Sequence, residues 1–298
     1  MRRVATQFWT IATFIGLATI ASPATTRGDI INYGASDAYG ISTTASLAVG
    51  GSVSATATVN ATPSVSGVAP PAYSLHNSLA SLSTSQGVIV TGTSNLLVEN
   101  TGLMNVVASS DVDGLAGIHF ASGQAEVDHL NANVLNTVGL TGQVISSFFT
   151  ISATTVTSLS HVNGTFGSLT ATGSAPIQDL KIVVNAVTIL DLTGTGMVNF
   201  APNTLVTFAT PIAGLRVVLN EQILSGNGIG SEKITTNAIH VYFSGVVTPS
   251  GTITADLVVA HSSAQLRAVP EPGSLALLGF GGLAMAGYAR RHRNKRAS

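Results

Sequence analysis

From Ala45 to Ala61 the odd positions read Ala, Leu, Val, Gly, Val, Ala, Ala, Val, Ala, while the even ones are mostly Ser, Thr and Asn. Successive side chains of a strand point to opposite faces, so this period of two describes a half-buried β-strand, with a break expected at Gly50-Gly51. No ten-residue stretch of the central chain shows a convincing apolar period of 3.6, so helix should be scarce. Further β-rich runs are expected at Val88 to Val98, Phe149 to Val162, Thr165 to Thr172, Ile182 to Leu192, Leu215 to Leu224, Ala238 to Thr248 and Ile253 to Ala260. Three prolines between Thr62 and Ala72 read as a loop. Asn163-Gly164 suits a two-residue type I′ hairpin, whose turn residues both need positive φ.

These runs succeed one another through short polar turns with no room for crossover helices, which favours antiparallel pairing. The expected fold class is therefore all-β, an antiparallel β-sandwich or rolled sheet. A β-solenoid is the alternative, although no fixed repeat period appears. Only 5% of residues are aromatic and 8% charged, so core energy must come from many small burials at about 25 cal/mol per Å².

The two ends differ from this body. Met1-Arg2-Arg3 precedes the uncharged apolar run Phe8 to Ile20, the n-region and h-region of a signal peptide. Ser22 and Ala24 place small residues at −3 and −1, so cleavage is expected after Ala24, with Thr26 and Gly28 as a second site. Val4-Ala5-Thr6 does not complete a twin-arginine signal, which favours general secretion. At the other end, Pro270-Glu271-Pro272 leads into an almost wholly apolar stretch to Ala289, then Arg290-Arg291-His292-Arg293-Asn294-Lys295-Arg296. The prolines keep the approach extended. The apolar stretch spans about 25 Å as a helix, a short membrane segment, and the basic cluster holds its end on the cytoplasmic side.

This tripartite ending resembles the PEP-CTERM sorting signal. The resemblance implies that an exosortase, a membrane cysteine protease, recognises Pro270, Glu271 and Pro272 and removes the tail after transient membrane insertion. The chain then divides into a signal peptide (1–24), a β-rich extracellular body (25–268) and a sorting tail (269–298). Its expected location is the cell envelope, outer surface or extracellular space, and its processing partners are the secretion machinery and exosortase.

Three segments, Val217-Val218-Leu219-Asn220-Glu221-Gln222, Thr236-Asn237-Ala238-Ile239-His240-Val241 and Ala255-Asp256-Leu257-Val258-Val259-Ala260-His261, come after an early Ala38-Tyr39-Gly40-Ile41-Ser42. Together they resemble the choice-of-anchor P family, bacterial surface proteins whose name implies no activity. Asn220, Glu221 and His240 are expected to form a turn or strand-edge polar network rather than a ligand site.

Composition excludes several chemistries. Cysteine is absent, which removes disulfides and thiolate sites. Between Thr25 and Val269 five basic residues face twelve carboxylates, a formal −7, so nucleic acid is not an expected partner. Asp111-Val112-Asp113-Gly114 resembles the start of a calcium loop, with Glu126, Asp128 and His129 as further donors, but the rest of an EF-hand is missing and a solvated turn is favoured. The six body histidines, His76, His119, His129, His161, His240 and His261, lack paired metal spacing. No G-x-S-x-G elbow occurs, and Gly226-Asn227-Gly228-Ile229-Gly230 lacks dinucleotide spacing and reads as a hairpin loop. The only tryptophan, Trp9, lies in the signal peptide and the five tyrosines are dispersed, which leaves little for sugar stacking.

The expectation is therefore a structural or adhesive surface protein, not an enzyme, with no cofactor and with extracellular polysaccharide or a second copy as candidate partners. A carbohydrate- or calcium-binding module is the alternative. An enzyme degrading extracellular polymer comes third, with Glu221 or Asp128 as the carboxylate to test.

Overall fold

The computed structural model describes residues 30–88, 94–138 and 144–269, together with 281 and 283–285. Seventeen strands run in order: β1 Ile30–Val49, β2 Ser52–Ala69, β3 Tyr73–Leu79, β4 Leu82–Val88, β5 Ser94–Thr101, β6 Met104–Ser110, β7 His119–Val138, β8 Val144–Thr165, β9 Ser168–Ser174, β10 Pro176–Gln178, β11 Lys181–Val184, β12 Val187–Asp191, β13 Met197–Asn199, β14 Thr204–Leu205, β15 Leu215–Gly226, β16 Ser231–Thr248 and β17 Gly251–Val269. They form two open antiparallel sheets. The first has the order β14-β15-β16-β17-β1-β2. The second is built on the long β7–β8 pair, with β5 and β6 end to end along β7, and β9, β10 and β11 along β8. The first sheet packs on the second through β1, β16 and β17. This is the sandwich expected, and the antiparallel ladders overturn the solenoid.

The period of two reads correctly. Ala45, Leu47, Ala55, Ala57 and Val59 all face the core, and Gly50-Gly51 forms the two-residue turn between β1 and β2, both with positive φ. Other boundaries move. β2 continues through Thr62–Ala69, in place of the expected loop; it is an edge strand, and an edge tolerates Pro63 because one row of its N–H groups needs no ladder partner. The run Ile182 to Leu192 is a hairpin, turning at Asn185-Ala186, and Val88 to Val98 spans the reversal between β4 and β5. β8 runs through Asn163-Gly164, so the hairpin turns at Phe166-Gly167 instead. There Phe166 packs on the core, and the N–H groups of Gly167 and Leu169 donate to Ile229 O and Gly228 O at 2.9 and 2.8 Å. The expected signal helix with Ala24, and Pro270, Glu271 and Pro272, lie outside the described residues. Residues 281 and 283–285 are helical. Among the described residues no helix is long and apolar enough to cross a membrane.

The interior has two apolar clusters separated by a belt of small residues. The larger contains Phe149, Phe243, Met104 and Ile151, and the smaller Ile31, Val112, Val162, Leu169, Ile234 and Leu266. Between them Ser160 Oγ donates to Thr236 Oγ1 at 2.9 Å and also lies 3.0 Å from Ser262 O. A Cβ on Gly123 would fall 2.5 Å from Asp37 O and 2.7 Å from Ser263 O. The sheets therefore approach closely enough at the belt that only glycine fits that point of β7.

Both sheets are creased at one level. In the first, Leu219-Asn220, Ala238-Ile239, Val259-Ala260 and Gly40-Ile41 are neighbouring pairs in which both residues are buried, and the inward phase changes parity across each. Asn220 and Ala260 carry positive φ there. In the second sheet the doubled residues, Asp128-His129 and Thr154-Thr155, lie away from the core, with positive φ at His129. Doubling inward in one sheet and outward in its partner bends both in the same direction in space, so they stay packed.

One interior group is out of character. Glu99 on β5 is fully buried; Oε1 accepts from the Thr43 hydroxyl of β1, and Oε2 has no partner. Burial pushes its carboxyl up to about 7, against a weaker pull from Thr43. The folded state then holds a proton that the unfolded chain releases near 4.5, so this group's support is complete below that pH and is lost as pH rises through about 7. Glu99→Gln should leave stability near pH 4 little changed and raise it by a few kcal/mol at pH 8. Urea unfolding of both proteins across pH 4–8 checks this; parallel curves would refute it.

Candidate functional site

The densest polar cluster lies on the outer face of the first sheet, at the crease. On an uninterrupted strand Asn237 and His240 would point to opposite faces, since they are three residues apart. The doubled inward pair Ala238-Ile239 puts both outside. The same shift in β17 places Asp256 and His261 on one face, and in β15 it places Arg216 and Glu221 together.

Glu221 is the hub. Its Oε2 accepts from Asn237 Nδ2 at 2.7 Å and from His240 Nδ1 at 2.5 Å, and its Oε1 accepts from Tyr242 OH at 2.7 Å. The Arg216 guanidinium stands 3.7 Å from Oε1 and covers the Tyr242 ring at 4.5 Å. His240 also stacks on Tyr242, with centroids 3.8 Å apart, and its Nε2 reaches Asp256 Oδ1 at 3.0 Å. Asn237 Oδ1 accepts from His261 Nδ1 at 2.6 Å, and His261 Nε2 donates to Asp37 Oδ2 at 3.1 Å. Tyr39 lies flat on His261 at 4.3 Å. Each imidazole thus faces polar partners on both nitrogens. The three carboxylates Glu221, Asp256 and Asp37 are met by the two imidazoles and the Arg216 guanidinium.

Burial raises the Glu221 carboxyl, but hydrogen bonds from His240, Tyr242 and Asn237, with the His240 charge, outweigh it and hold the group at about 2. Asp37 is likewise lowered, burial being outweighed by His261 and then Ser263 and Lys233. Tyr39 is pushed up to about 12, by burial first and then by Asp37 and Asp256. These shifts favour the charged acids and neutral phenols that the hydrogen bonds require. Both carboxylate oxygens of Glu221 are engaged by other members of the cluster, which fixes the geometry of this face.

Two open hollows flank the cluster on the same face. One of about 380 Å³ is lined by Thr44, Thr58, Tyr242 and Asp256. The other, about 210 Å³, is lined by Asp37, Tyr39, Ser64 and Ser66. Tyr33 also stands on this face, under the Arg267 guanidinium at 5.2 Å. Three of the tyrosines that look dispersed along the chain therefore share one surface.

The expected network of Asn220, Glu221 and His240 is partly brought together. Glu221 and His240 are bonded across β15 and β16, beside the two-residue edge strand β14. Asn220 points to the other side, donating to Phe200 O at 2.7 Å and accepting from Gln222 Nε2. The calcium donors are not assembled. Asp111 Oδ1 accepts Phe120 N–H and Asp113 Oδ1 accepts Leu115 N–H, closing their own loop around His119. Glu126 and Asp128 lie seven and nine residues along β7 from His119, roughly 23 and 30 Å at 3.3 Å per residue, and Asp128 is held by Thr155. Among the described residues no group of three or more His, Asp or Glu side chains is arranged to hold a metal ion. Glu221 and Asp128 belong to different sheets and form no carboxylate pair. The Gly226–Gly230 run is the hairpin loop expected, with Asn227 Oδ1 accepting from the N–H groups of Ile229, Gly230 and Ser231. Asn237, Asp256 and His261 lie in segments already singled out in the sequence but carried no expected role there, and Asp37, Arg216 and Tyr242 join the site without a linear motif; their signal is polar side chains set in apolar strands, blurred by the change of phase.

β17 ends at Val269, at the threshold of the C-terminal segment. The family model of the PEP-CTERM protein-sorting motif matches residues 268–294. The chain is thus an exported, exosortase-processed protein, anchored at or secreted to the cell surface. No curated protein gives a significant match.

Folded-state lowering of Glu221 means its support is full above about 4.5 and is lost as pH falls through about 2. Glu221→Gln leaves His240 and Arg216 without their buried anion and should cost about 3 kcal/mol at pH 7. The loss relative to the parent should shrink as pH falls from 4.5 towards 2. Thermal melts across that range read it directly, and a pH-independent difference would contradict the network.

Proposed function

We propose that the sandwich is the mature body of a surface protein with a structural or adhesive role in the envelope or extracellular matrix. The observation that carries this reading is the junction at Val269, where the last core strand gives way within one residue to the sorting motif. On this reading residues 1–24 are removed after Ala24, 25–268 persist, and exosortase reads Pro270, Glu271 and Pro272 while 274–289 insert in the membrane. The helical, exposed Leu283 and Met285 suit a segment whose neighbours are lipid. The likeness of the body to choice-of-anchor P proteins fits the same placement. The saturated Glu221 cluster favours a shaped surface over a catalytic one.

Intact mass and terminal peptide mapping of the protein from its host's envelope and medium test the division. The expected product lacks roughly the first 24 residues and everything beyond the Pro-Glu-Pro region. A product that keeps the C-terminal run would instead be membrane-tethered and would refute the proposed processing.

A second reading, binding of extracellular polysaccharide, is favoured by Tyr39, which lines the smaller hollow while its ring is held on His261. A ring fixed in this way offers a stacking edge at little entropic cost. Co-sedimentation of the mature body with the host's polysaccharide should weaken roughly tenfold in Tyr39→Ala, a loss of about 1.4 kcal/mol. Absence of binding by the parent would leave the structural role alone.

A further inference from the structure

The smaller apolar cluster closes one end of the sandwich, and that end collects several loops. Ile30 pairs with Val269, so the body's first and last strands meet there. The Gly226–Gly230 hairpin is tied to the same place by Ala268 N–H donating to Gly230 O at 2.8 Å. The β8–β9 turn is held against that hairpin by the Gly167 and Leu169 N–H groups. The β6–β7 loop joins them because Val112 sits in the smaller cluster with Ile31 and Leu266.

Three large apolar side chains project from these loops into solvent: Leu115, Ile118 and Ile229, which are 65%, 74% and 52% exposed. Exposure alone does not distinguish them, since Val49 and Val247 are exposed at the opposite end. What distinguishes them is the chain that leaves Val269. Only residues 270–272 separate β17 from Gly273, where the apolar run begins. Even fully extended, the four steps from Val269 to Gly273 reach about 14 Å. The interfacial layer of a bilayer is itself roughly 5–7 Å thick on each side. With the run inserted, this end of the body is confined to the membrane surface, whichever way the link bends.

Charge at this end fits a neutral interface better than an anionic one. Asp111 and Asp113 bond to loop N–H groups, and Glu232 Oε2 accepts Gly228 N–H. Arg267 is laid over Tyr33. Leu115, Ile118 and Ile229 are the large apolar side chains that these loops expose to lipid.

We propose that, until the tail is removed, the sandwich stands end-on on the bilayer with Leu115, Ile118 and Ile229 in the lipid interface. This contact fixes the height at which Pro270, Glu271 and Pro272 meet the protease. The inference rests on the sorting-tail reading of the C-terminal segment. It places the opposite end, with Gly50-Gly51 and Val247, up to about 60 Å from the membrane for strands near 20 residues long.

The chain has no cysteine, so single substitutions can be labelled cleanly. Leu115→Cys, Ile118→Cys, Ile229→Cys and, as the distal control, Val247→Cys are made in the full chain. Each carries an environment-sensitive fluorophore and is reconstituted in phosphatidylcholine vesicles containing nitroxide-labelled lipid. The three near-end labels should be quenched several-fold more than the label at 247. Equal quenching at both ends in protein that floats with the vesicles overturns the end-on contact while leaving the tail reading intact. Failure to float overturns the tail reading and this inference together. Because the vesicles contain no other protein, near-end quenching identifies lipid, and not the protease, as the partner.

Discussion

The crease across the first sheet is the constraint on which the rest of the molecule depends. A strand alternates its side chains strictly, so a face can gather residues only at even spacing. At Leu219-Asn220, Ala238-Ile239, Val259-Ala260 and Gly40-Ile41 the alternation is reset in four neighbouring strands at one level. Such a reset in one strand alone would turn that strand's apolar set away from its neighbours'. Made in all four, it keeps the core continuous and gives the outer face residues at odd spacing. Glu221, Asn237, His240 and His261 meet only for this reason. Gly40 shows how closely the partner sheet tracks it: a Cβ there would lie 2.9 Å from Met104 Sδ, beside the crease at Asp128-His129.

A core with few aromatics accounts for the close approach of the sheets. Ala, Val, Ser and Gly on facing strands bring the backbones nearer than large side chains would, as Gly123 shows against Asp37 O and Ser263 O. Close approach strengthens dispersion contacts but leaves little room for polar groups to relax. The belt hydroxyls meet this by bonding to one another and to carbonyls across the gap. Glu99 does not, since a single hydroxyl partner leaves Oε2 unpaired. Its ionisation is therefore resisted by the same packing that holds the sheets together.

The sheets were legible where residues stay on one side of the crease and carry a side-chain contrast. Ala45–Val59 satisfies both conditions, and its pattern revealed the strand, its inward face and the turn. β7 satisfies neither: Ala121, Gly123, Ala125 and Val127 face inward before the reset, and Leu130, Ala132 and Val134 after it. A change of parity among small residues erases the period, so that strand left no trace in the sequence. The Asn163-Gly164 turn failed differently. Its local chemistry is sound, but Phe166 gains burial and the next N–H groups gain partners on the β15–β16 hairpin, so tertiary contacts set the turn three residues later. Glu221 and His240 stand out as polar residues in apolar strands, but their partners could not be paired without knowing where the phase changes. The sorting signal, by contrast, is a linear feature of the sequence, and it needed no fold to be seen.

The two surfaces proposed for this protein also differ in how they are built, and the difference comes from their positions. The end near Val269 presents apolar tips on loops, which cost little to expose while a covalent tether keeps them beside lipid and which lose that partner once the tail is cut. The outer face of the first sheet has no such tether. It carries charges and hydroxyls, held in place by the network around Glu221. The edge strand β2 beside it contains Pro63, whose ring interrupts the row of donors that another strand would need. Gln86 of β4 accepts the Thr58 N–H and Asn77 of β3 donates to Ser64 O, so side chains also blunt that edge against strand addition.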